Sequence, residues 1–301
     1  MVLDLLVAAA LPLFATDGDP HRRLLAVAPA ETLAVTVDGG RGRPVVMVPG
    51  LLGAAYTFRH VREALADAGL RVVIVEPLGT GASSRPKDAD YSLTAQARRI
   101  AAALDSLGID SAVLVCHSVG ASMCFRLATH RPDLAAGIVS LNGGAAERAG
   151  TPGLRSALRF APLLSLLGAE GILRGRIADG LVANSYDAAW VTDEVVRGYT
   201  APFDEDIGRA LDVLQRMLAA PEPEPLRPQL RRIRAPVRLL LATGAPTDVV
   251  PPEEVETLRA ELKDFRVELV PRSGLYIQEE RPAAVVRAVI AMLAELSGMP
   301  T

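Results

Sequence analysis

Short apolar runs alternate with amphipathic segments along most of the chain. The apolar runs span residues 44–48, 71–75, 111–116, 137–141, 237–242 and 265–270. Runs of this length predict strands buried on both faces, and the segments between them, such as 58–68 and 92–107, have helical spacing. This alternation is typical of βαβ units. We therefore predict an α/β fold with a mostly parallel central sheet of about eight strands and helices on both faces.

The pattern changes between residues 142 and 234. This stretch contains helical segments such as 153–167 and 203–219 but no strand-like run of comparable strength. The proline-rich residues 221–225 would form a stiff linker that returns the chain to the sheet. The predicted units are an N-terminal apolar segment of residues 1–30, an α/β core of residues 31–141 and 235–301, and an inserted helical cap of residues 142–234.

Residues 2–15 are almost wholly apolar, which leaves two interpretations open. Their length fits the apolar region of a secretory signal better than a membrane span, which needs about 20 such residues. The segment lacks a basic start, however, because Asp4 lies where lysine or arginine is expected. The alternative is an amphipathic helix that packs on the body of the protein or on a membrane surface. Cytoplasmic and exported locations both stay open, and we expect no stable membrane span.

Composition and charge exclude several classes of partner. The chain of 301 residues has 32 basic and 35 acidic residues, so it offers no basic surface of the kind that nucleic acids require. Its only cysteines, Cys116 and Cys124, lie in a predicted strand and in the helix after it, where a disulfide is not expected. There are four histidines and no CxxC or HExxH motif. We therefore expect no metal, no cofactor and no nucleic-acid partner.

The strongest candidate for chemistry is Ser118, which directly follows the apolar run 111–116. Cys116 and Gly120 are small residues two positions before and two after the serine. Such spacing lets the chain turn sharply from strand to helix and exposes the hydroxyl at the edge of the sheet, as in a nucleophile elbow. The alternative is an ordinary turn in which the serine oxygen caps the N-terminus of the next helix.

Four motifs in this order resemble the α/β-hydrolase family: VPGLLG at 48–53, EPLGTGASSRP at 76–86, CHSVG at 116–120 and ERP at 280–282. The resemblance extends over about residues 32–296, and the cap looks most like the branch that contains epoxide hydrolases, carbon–carbon bond hydrolases and esterases. It implies that Ser118 is a nucleophile. It also implies that Glu76, where the family often has aspartate, helps to hold the turns.

The resemblance further implies an oxyanion hole. Gly50 would let the backbone approach the substrate, and the amides of Leu51 and Val119 would stabilise charge developing on a carbonyl oxygen. Pro49 replaces a histidine that is common before this glycine. A tight turn without a catalytic role is the alternative for this stretch.

The acid and the base of a catalytic triad would follow the later strands. Asp248 resembles the family's acid, which orients a histidine, although an aspartate after Pro-Thr is also an ordinary turn former. The family's histidine follows a glycine a few residues before an acidic-x-proline motif. Here that position is Leu275, and leucine cannot accept a proton.

Two other histidines, His117 and His60, are candidate substitutes for the base. We expect the side chain of His117 to point away from Ser118, which makes it a poor base. His60, on the helix after the oxyanion turn, is the better candidate, and its alternative is a partly buried histidine with a local partner.

Three functional hypotheses follow from this site, each with a small apolar molecule as its partner. The first is a serine hydrolase of small esters or related carbonyl compounds that uses an unorthodox base. The second is a pseudohydrolase that binds such a ligand beneath the cap. The third is non-hydrolytic chemistry on a carbonyl polarised by the oxyanion hole.

Overall fold

A computed structural model describes residues 14–15, 19–51, 53–150, 170–204, 206–244 and 250–298. Within these residues one nine-stranded sheet has the order β1-β2-β3-β5-β4-β6-β7-β8-β9. The strands are β1 Phe14–Ala15, β2 Arg22–Ala28, β3 Glu31–Gly39, β4 Pro44–Val48, β5 Arg71–Val75, β6 Ala112–His117, β7 Ala135–Leu141, β8 Val237–Ala242 and β9 Phe265–Val270. Strands β4 to β9 are parallel, and β1 to β3 form an antiparallel extension. The predicted mostly parallel sheet is thereby confirmed.

Helices cover both faces of the sheet, as predicted. Helices α1 (Arg59–Asp67) and α8 (Pro282–Leu296) pack on one face, against alternate strand residues such as Val45 and Met47. Helices α2 (Leu93–Ser106), α3 (Val119–His130) and α7 (Pro252–Glu261) pack on the other face, where Val46 and Val48 point. Because side chains of a strand alternate between faces, an uninterrupted apolar run supplies both cores. Each fully buried valine or leucine contributes about 1.5–3 kcal/mol.

The segment between β7 and β8, residues 142–236, is called the insertion below. Its described residues form helices α4 (Glu170–Ala183), α5 (Asp193–Thr200) and α6 (Ile207–Ala219), and they contain no strand. The side chains of Thr192 and Asp206 cap the N-termini of α5 and α6. Helix α6 buries Val213 and Met217 in the main core, so this part of the insertion is packed on the body of the protein. The predicted helix 153–167 lies outside the described residues.

The N-terminal region differs from the expectation in one respect. Strand β2 covers Arg22–Ala28, so the sheet begins before residue 31, where the core was predicted to start. The sequence did not predict this strand, because it begins with the basic pair Arg22-Arg23 and lies next to the apolar N-terminal stretch. The signal-like residues 2–13 lie outside the described residues. None of the described helices is long and apolar enough to cross a membrane.

Candidate active site

Ser118 lies in a strained turn between β6 and α3. Its backbone has φ 52° and ψ −124°, a conformation that costs a residue with a side chain about 1–3 kcal/mol. The Ser118 amide donates to the Leu141 carbonyl at 2.9 Å, and the Ser118 carbonyl accepts from the Ala121 amide at 3.0 Å. The serine side chain makes no capping hydrogen bond to α3. The backbone therefore has the shape of a nucleophile elbow, and the helix-capping alternative is wrong.

Two glycines allow the turns around Ser118 to approach each other closely. A Cβ atom on Gly120 would lie 2.7 Å from the carbonyl oxygens of both Val48 and Pro49. A Cβ atom on Gly50 would lie 3.4 Å from the Ser118 Cβ. The turn after β4, which continues into Leu51, therefore contacts the elbow. The amide of Gly53 donates to the Gly50 carbonyl at 2.9 Å and closes that turn.

The main chain at Leu275 is held against the ends of three parallel strands. His117, the last residue of β6, donates its Nε2–H to the Leu275 carbonyl at 3.0 Å. Asn142, which follows β7, donates from Nδ2 to the carbonyls of Gly274 and Leu275, both at 3.1 Å. Its Oδ1 accepts from the amide of Ala242, the last residue of β8, at 2.9 Å. These contacts place Leu275 beside the elbow at the carboxyl edge of the sheet.

Asn142 was absent from the predicted site, although one signal pointed to it. It is buried and has φ 47°, a conformation that asparagine tolerates better than most residues. An asparagine directly after a buried parallel strand lies at the edge where sites form. Its contacts with Gly274 and Leu275 join residues more than 130 positions apart, which no local pattern reveals.

The Leu275 segment is also tied to the insertion. The Leu275 amide donates to the Asn184 carbonyl at 2.8 Å. Glu280 accepts from the amides of Tyr186 at 2.8 Å and Asp187 at 3.0 Å through Oε1, and from the amide of Gly274 through Oε2. Residues 184–187 therefore lie directly against residues 274–275. A Cβ atom on Gly274 would be only 2.3 Å from the Asn184 carbonyl oxygen, so this contact requires glycine.

An aromatic cluster anchors the insertion next to this segment. Trp190 and Tyr199 of the insertion pack against Tyr276, with ring centroids 5.6 and 6.0 Å from that tyrosine. The Tyr276 ring is in turn 5.8 Å from the ring of His117. The Tyr199 hydroxyl donates to the buried carboxylate of Glu279 at 2.9 Å. Burial raises the pKa of Glu279, partly offset by a nearby arginine.

All four histidines lie in described residues, and none makes a hydrogen bond with Ser118. Burial lowers the pKa of His117 to about 4, so the ring is neutral near pH 7. The side chain of His60 is 47% exposed, and its Nε2 is 4.0 Å from a Glu279 carboxylate oxygen, which gives it a local partner. The partners of the remaining histidines are Asp38 for His21 and Glu224 for His130.

Glu76 holds the turn after β5, as the sequence suggested. Its carboxylate accepts from the amides of Ala55 and Ala82, each at 2.7 Å. Burial of the side chain raises the pKa of Glu76. A Cβ atom on Gly81 would lie 2.1 Å from Glu76 Oε2, so glycine allows the turn to wrap around the carboxylate.

A small cavity lies between this turn, the turn after β4 that contains Leu51, and the insertion. Its volume of about 20 Å³ is enough for one or two water molecules. Leu51 is the predicted site residue in its wall, whereas Ser118 and Leu275 do not line it. The other lining residues are Gly53, Gly79, Thr80, Gly81, Arg85, Pro202, Phe203, Ala210, Leu214 and Met217. The cavity is therefore mostly apolar.

Asp248 lies outside the described residues, which stop at Gly244 and resume at Val250. The amide of Gly244 donates to the Ser273 carbonyl at 3.1 Å, so the loop that contains Asp248 leaves the sheet beside the Leu275 segment. Among the described residues, no three histidine, cysteine, aspartate or glutamate side chains are arranged as metal ligands. Cys116 and Cys124 are both free and buried, which confirms that they form no disulfide.

Comparison with known proteins agrees with this architecture. A sequence model described as alpha/beta hydrolase fold matches residues 43–173. The chain is 27% identical over 267 residues to a 2-hydroxy-6-oxo-6-phenylhexa-2,4-dienoate hydrolase of Burkholderia cepacia, which covers 85% of this chain and 90% of the relative. It is 26% identical over 243 residues to the uncharacterized hydrolase YugF of Bacillus subtilis, which covers 80% and 86%.

Solved structures share the fold. The crystal structure of Cfl2 from Burkholderia cenocepacia superposes with a TM-score of 0.75 at 22% identity and covers 90% of this chain and 94% of that chain. These comparisons show that the chain has the α/β-hydrolase fold.

Proposed function

We propose that this protein binds a small apolar carbonyl or ester compound at Ser118 and that its hydrolytic turnover is impaired, because the position of the base is occupied by Leu275. One observation carries the proposal. The strained turn at Ser118 is present, while the neighbouring segment that should supply an imidazole carries leucine at position 275, whose carbonyl accepts hydrogen bonds from His117 and Asn142.

Each remaining group has a role in this proposal. Ser118 is the nucleophile or the polar contact for the ligand, and the amides of Leu51 and Val119 form the oxyanion hole. One such preorganised donor contributes about 3 kcal/mol to stabilisation of the oxyanion. Asp248 is the acid member. The insertion acts as a cap, which is supported by its contacts with residues 274–275 and by its contribution to the wall of the cavity beside Leu51.

The missing step is removal of the serine proton. His117 is a poor substitute because its Nε2–H donates to the Leu275 carbonyl and burial lowers its pKa to about 4. His60 remains the substitute to test, although its ring faces Glu279. Removal of one triad member commonly costs about 10⁴–10⁶ in turnover, while about 10³–10⁴ of rate enhancement over water can survive.

A ligand-binding pseudohydrolase is the second candidate. It is favoured by the hydrogen bonds of Glu280 with Tyr186 and Asp187 and by the hydrogen bond between Leu275 and Asn184, which fasten the insertion to the segment where the family's base is expected. A binding protein can retain the oxyanion donors, because they recognise a carbonyl without proton transfer. Only the catalytic step is lost.

Restoration of the imidazole tests the proposal. Leu275→His should raise the hydrolysis of a short-chain p-nitrophenyl ester at least tenfold, a barrier reduction of about 1.4 kcal/mol. The matched control is Leu275→Asn, which adds a polar side chain without a base and should gain nothing. The gain should vanish when Ser118→Ala is combined with Leu275→His.

Two results would contradict the proposal. If folded Leu275→His gains no activity, the site is not a hydrolase site that lacks only its base. If the unmodified protein already hydrolyses esters at ordinary enzyme rates through Ser118, a base exists elsewhere. His60→Gln would then show whether His60 supplies it.

A further inference from the structure

Strand β9 ends the sheet with an unusually apolar edge. Among the described residues it pairs only with β8, so its outer side presents unpaired backbone groups. Leu269 is 62% exposed, more than any other large hydrophobic side chain of the described residues. Exposed edge strands act as templates for pairing with another chain, and proteins usually protect them.

The two faces of β9 have different chemistry. Phe265 and Val267 pack against the core below α7, and Leu269 shares their face by the two-residue period of a strand. Arg266 and Glu268 lie on the opposite face and are exposed. Because Arg266 and Glu268 have opposite charges and lie two positions apart on one face, each can face the other's counterpart in an antiparallel copy of the same strand.

We propose that β9 is a dimerisation edge, at which a second copy of this chain adds its own β9 antiparallel about a twofold axis that passes through Val267. The sheet then continues from one chain into the other. This interface is independent of the proposed activity at Ser118.

The charges select this register. A twofold axis perpendicular to the sheet preserves its faces, so it must pass through a residue rather than between two residues. With the axis at Val267, Arg266 of each chain lies opposite Glu268 of the other, and Phe265 lies opposite Leu269. Opposite charges and apolar pairs at directly facing positions stabilise antiparallel strands, and like charges destabilise them.

Other registers of the two strands would give repulsive charge pairs or a shorter overlap. An axis at Glu268 would place the two copies of this carboxylate opposite each other, and an axis at Arg266 would do the same with two guanidinium groups. An axis at Phe265 or Leu269 would leave most of the six-residue strand beyond the overlap. Val267 is therefore the centre that combines a long overlap with attractive charge pairs.

Charge exchange in the full-length protein tests the interface. Sedimentation equilibrium should show a dimer for the unmodified chain. Arg266→Glu or Glu268→Arg alone should raise the dimer dissociation constant at least tenfold, because each places like charges opposite each other twice. The exchange variant with both substitutions should restore the dissociation constant to within threefold. Because Arg266 also pairs with Glu295 at 3.2 Å within its own chain, circular dichroism should first show that the variants are folded.

Cysteine cross-linking tests the register separately. Val267→Cys should form a disulfide dimer on mild oxidation, because the two copies of residue 267 meet at the axis. Phe265→Cys is the control, since its two copies would be about 14 Å apart along the strands, too far for a disulfide. The natural cysteines are buried and should not react. A monomer at 100 µM, a dimer that survives both single charge reversals, or an exchange variant that fails to restore pairing would each overturn the proposal.

Discussion

The elbow at Ser118 and the segment 273–280 lie side by side, yet different forces fix them. The elbow is held by steric contact, since Gly120 leaves no room for a side chain against the adjoining turn and Gly50 leaves little. The segment 273–280 is held by hydrogen bonds that His117 and Asn142 donate to its main chain. Its Glu280 carboxylate also accepts hydrogen bonds from the amide of Gly274 and from amides of the insertion. None of these hydrogen bonds involves the side chain of Leu275.

This difference separates the position of the loop at residue 275 from the side chain that the loop carries there. A loop positioned through its main chain keeps its place whatever side chain it carries at residue 275. An elbow positioned by close packing cannot change its small residues so freely. The backbone geometry at Ser118 therefore depends on its small neighbours, whereas the position of residues 274–275 does not depend on the side chain of residue 275.

The largest effect should come from a side chain added to the elbow. Gly120→Ala places a Cβ atom 2.7 Å from two backbone carbonyl oxygens, and overpacking of this kind should cost about 3 kcal/mol of unfolding free energy. Urea denaturation measures the loss. The matched control is Gly180→Ala in α4, where the added Cβ meets nothing within 4 Å and should stabilise the helix by about 0.5–1 kcal/mol. Equal effects at the two glycines would contradict the steric account of the elbow.

The segment 273–280 should respond instead to loss of its hydrogen bonds. Glu280→Ala removes the acceptor for the amides of Gly274, Tyr186 and Asp187 and should lower the unfolding free energy by about 2 kcal/mol, since bonds to a charged group are strong but this carboxylate is partly exposed. Limited proteolysis should then cut the insertion faster. Glu63→Ala, at an exposed position on α1, is the control. Unchanged proteolysis in Glu280→Ala would show that Glu280 does not fasten the insertion.

Buried His117 gives the same segment a dependence on pH. Its folded pKa of about 4 lies below the value of 6.5 for an unfolded histidine, so the unfolded state binds more protons between these values. The unfolding free energy is therefore unaffected by His117 well above pH 6.5. It falls as the pH drops toward 4, and the part due to His117 amounts to about 2 kcal/mol between pH 7 and 4.5.

His117→Gln keeps a donor for the Leu275 carbonyl and should abolish this part of the pH dependence in denaturation curves. His21→Gln, at a half-exposed histidine, controls for loss of an imidazole as such. If His117→Gln and the unmodified protein lose the same stability on acidification, burial of His117 does not couple this segment to pH.

The contrast between the two regions also shows what the sequence could predict. The apolar runs located β4 to β9 within two residues of their observed ends, because strands buried on both faces leave a continuous signal. The elbow was predictable because its steric demands fall on Cys116, Ser118 and Gly120 within five positions. The contacts of Asn142 with Gly274 and of Glu280 with Tyr186 were not predictable, since these hydrogen bonds join positions about 90 to 130 residues apart.

The reaction of Ser118 with a fluorophosphonate probe tests the central claim most directly, because only a serine that can lose its proton to a base reacts quickly. The unmodified protein should react within threefold of the rate of Ser118→Ala, and Leu275→His should react at least tenfold faster, with the label on Ser118. Rapid labelling of Ser118 in the unmodified protein would contradict the account, since it would mean that the base position at Leu275 is not needed.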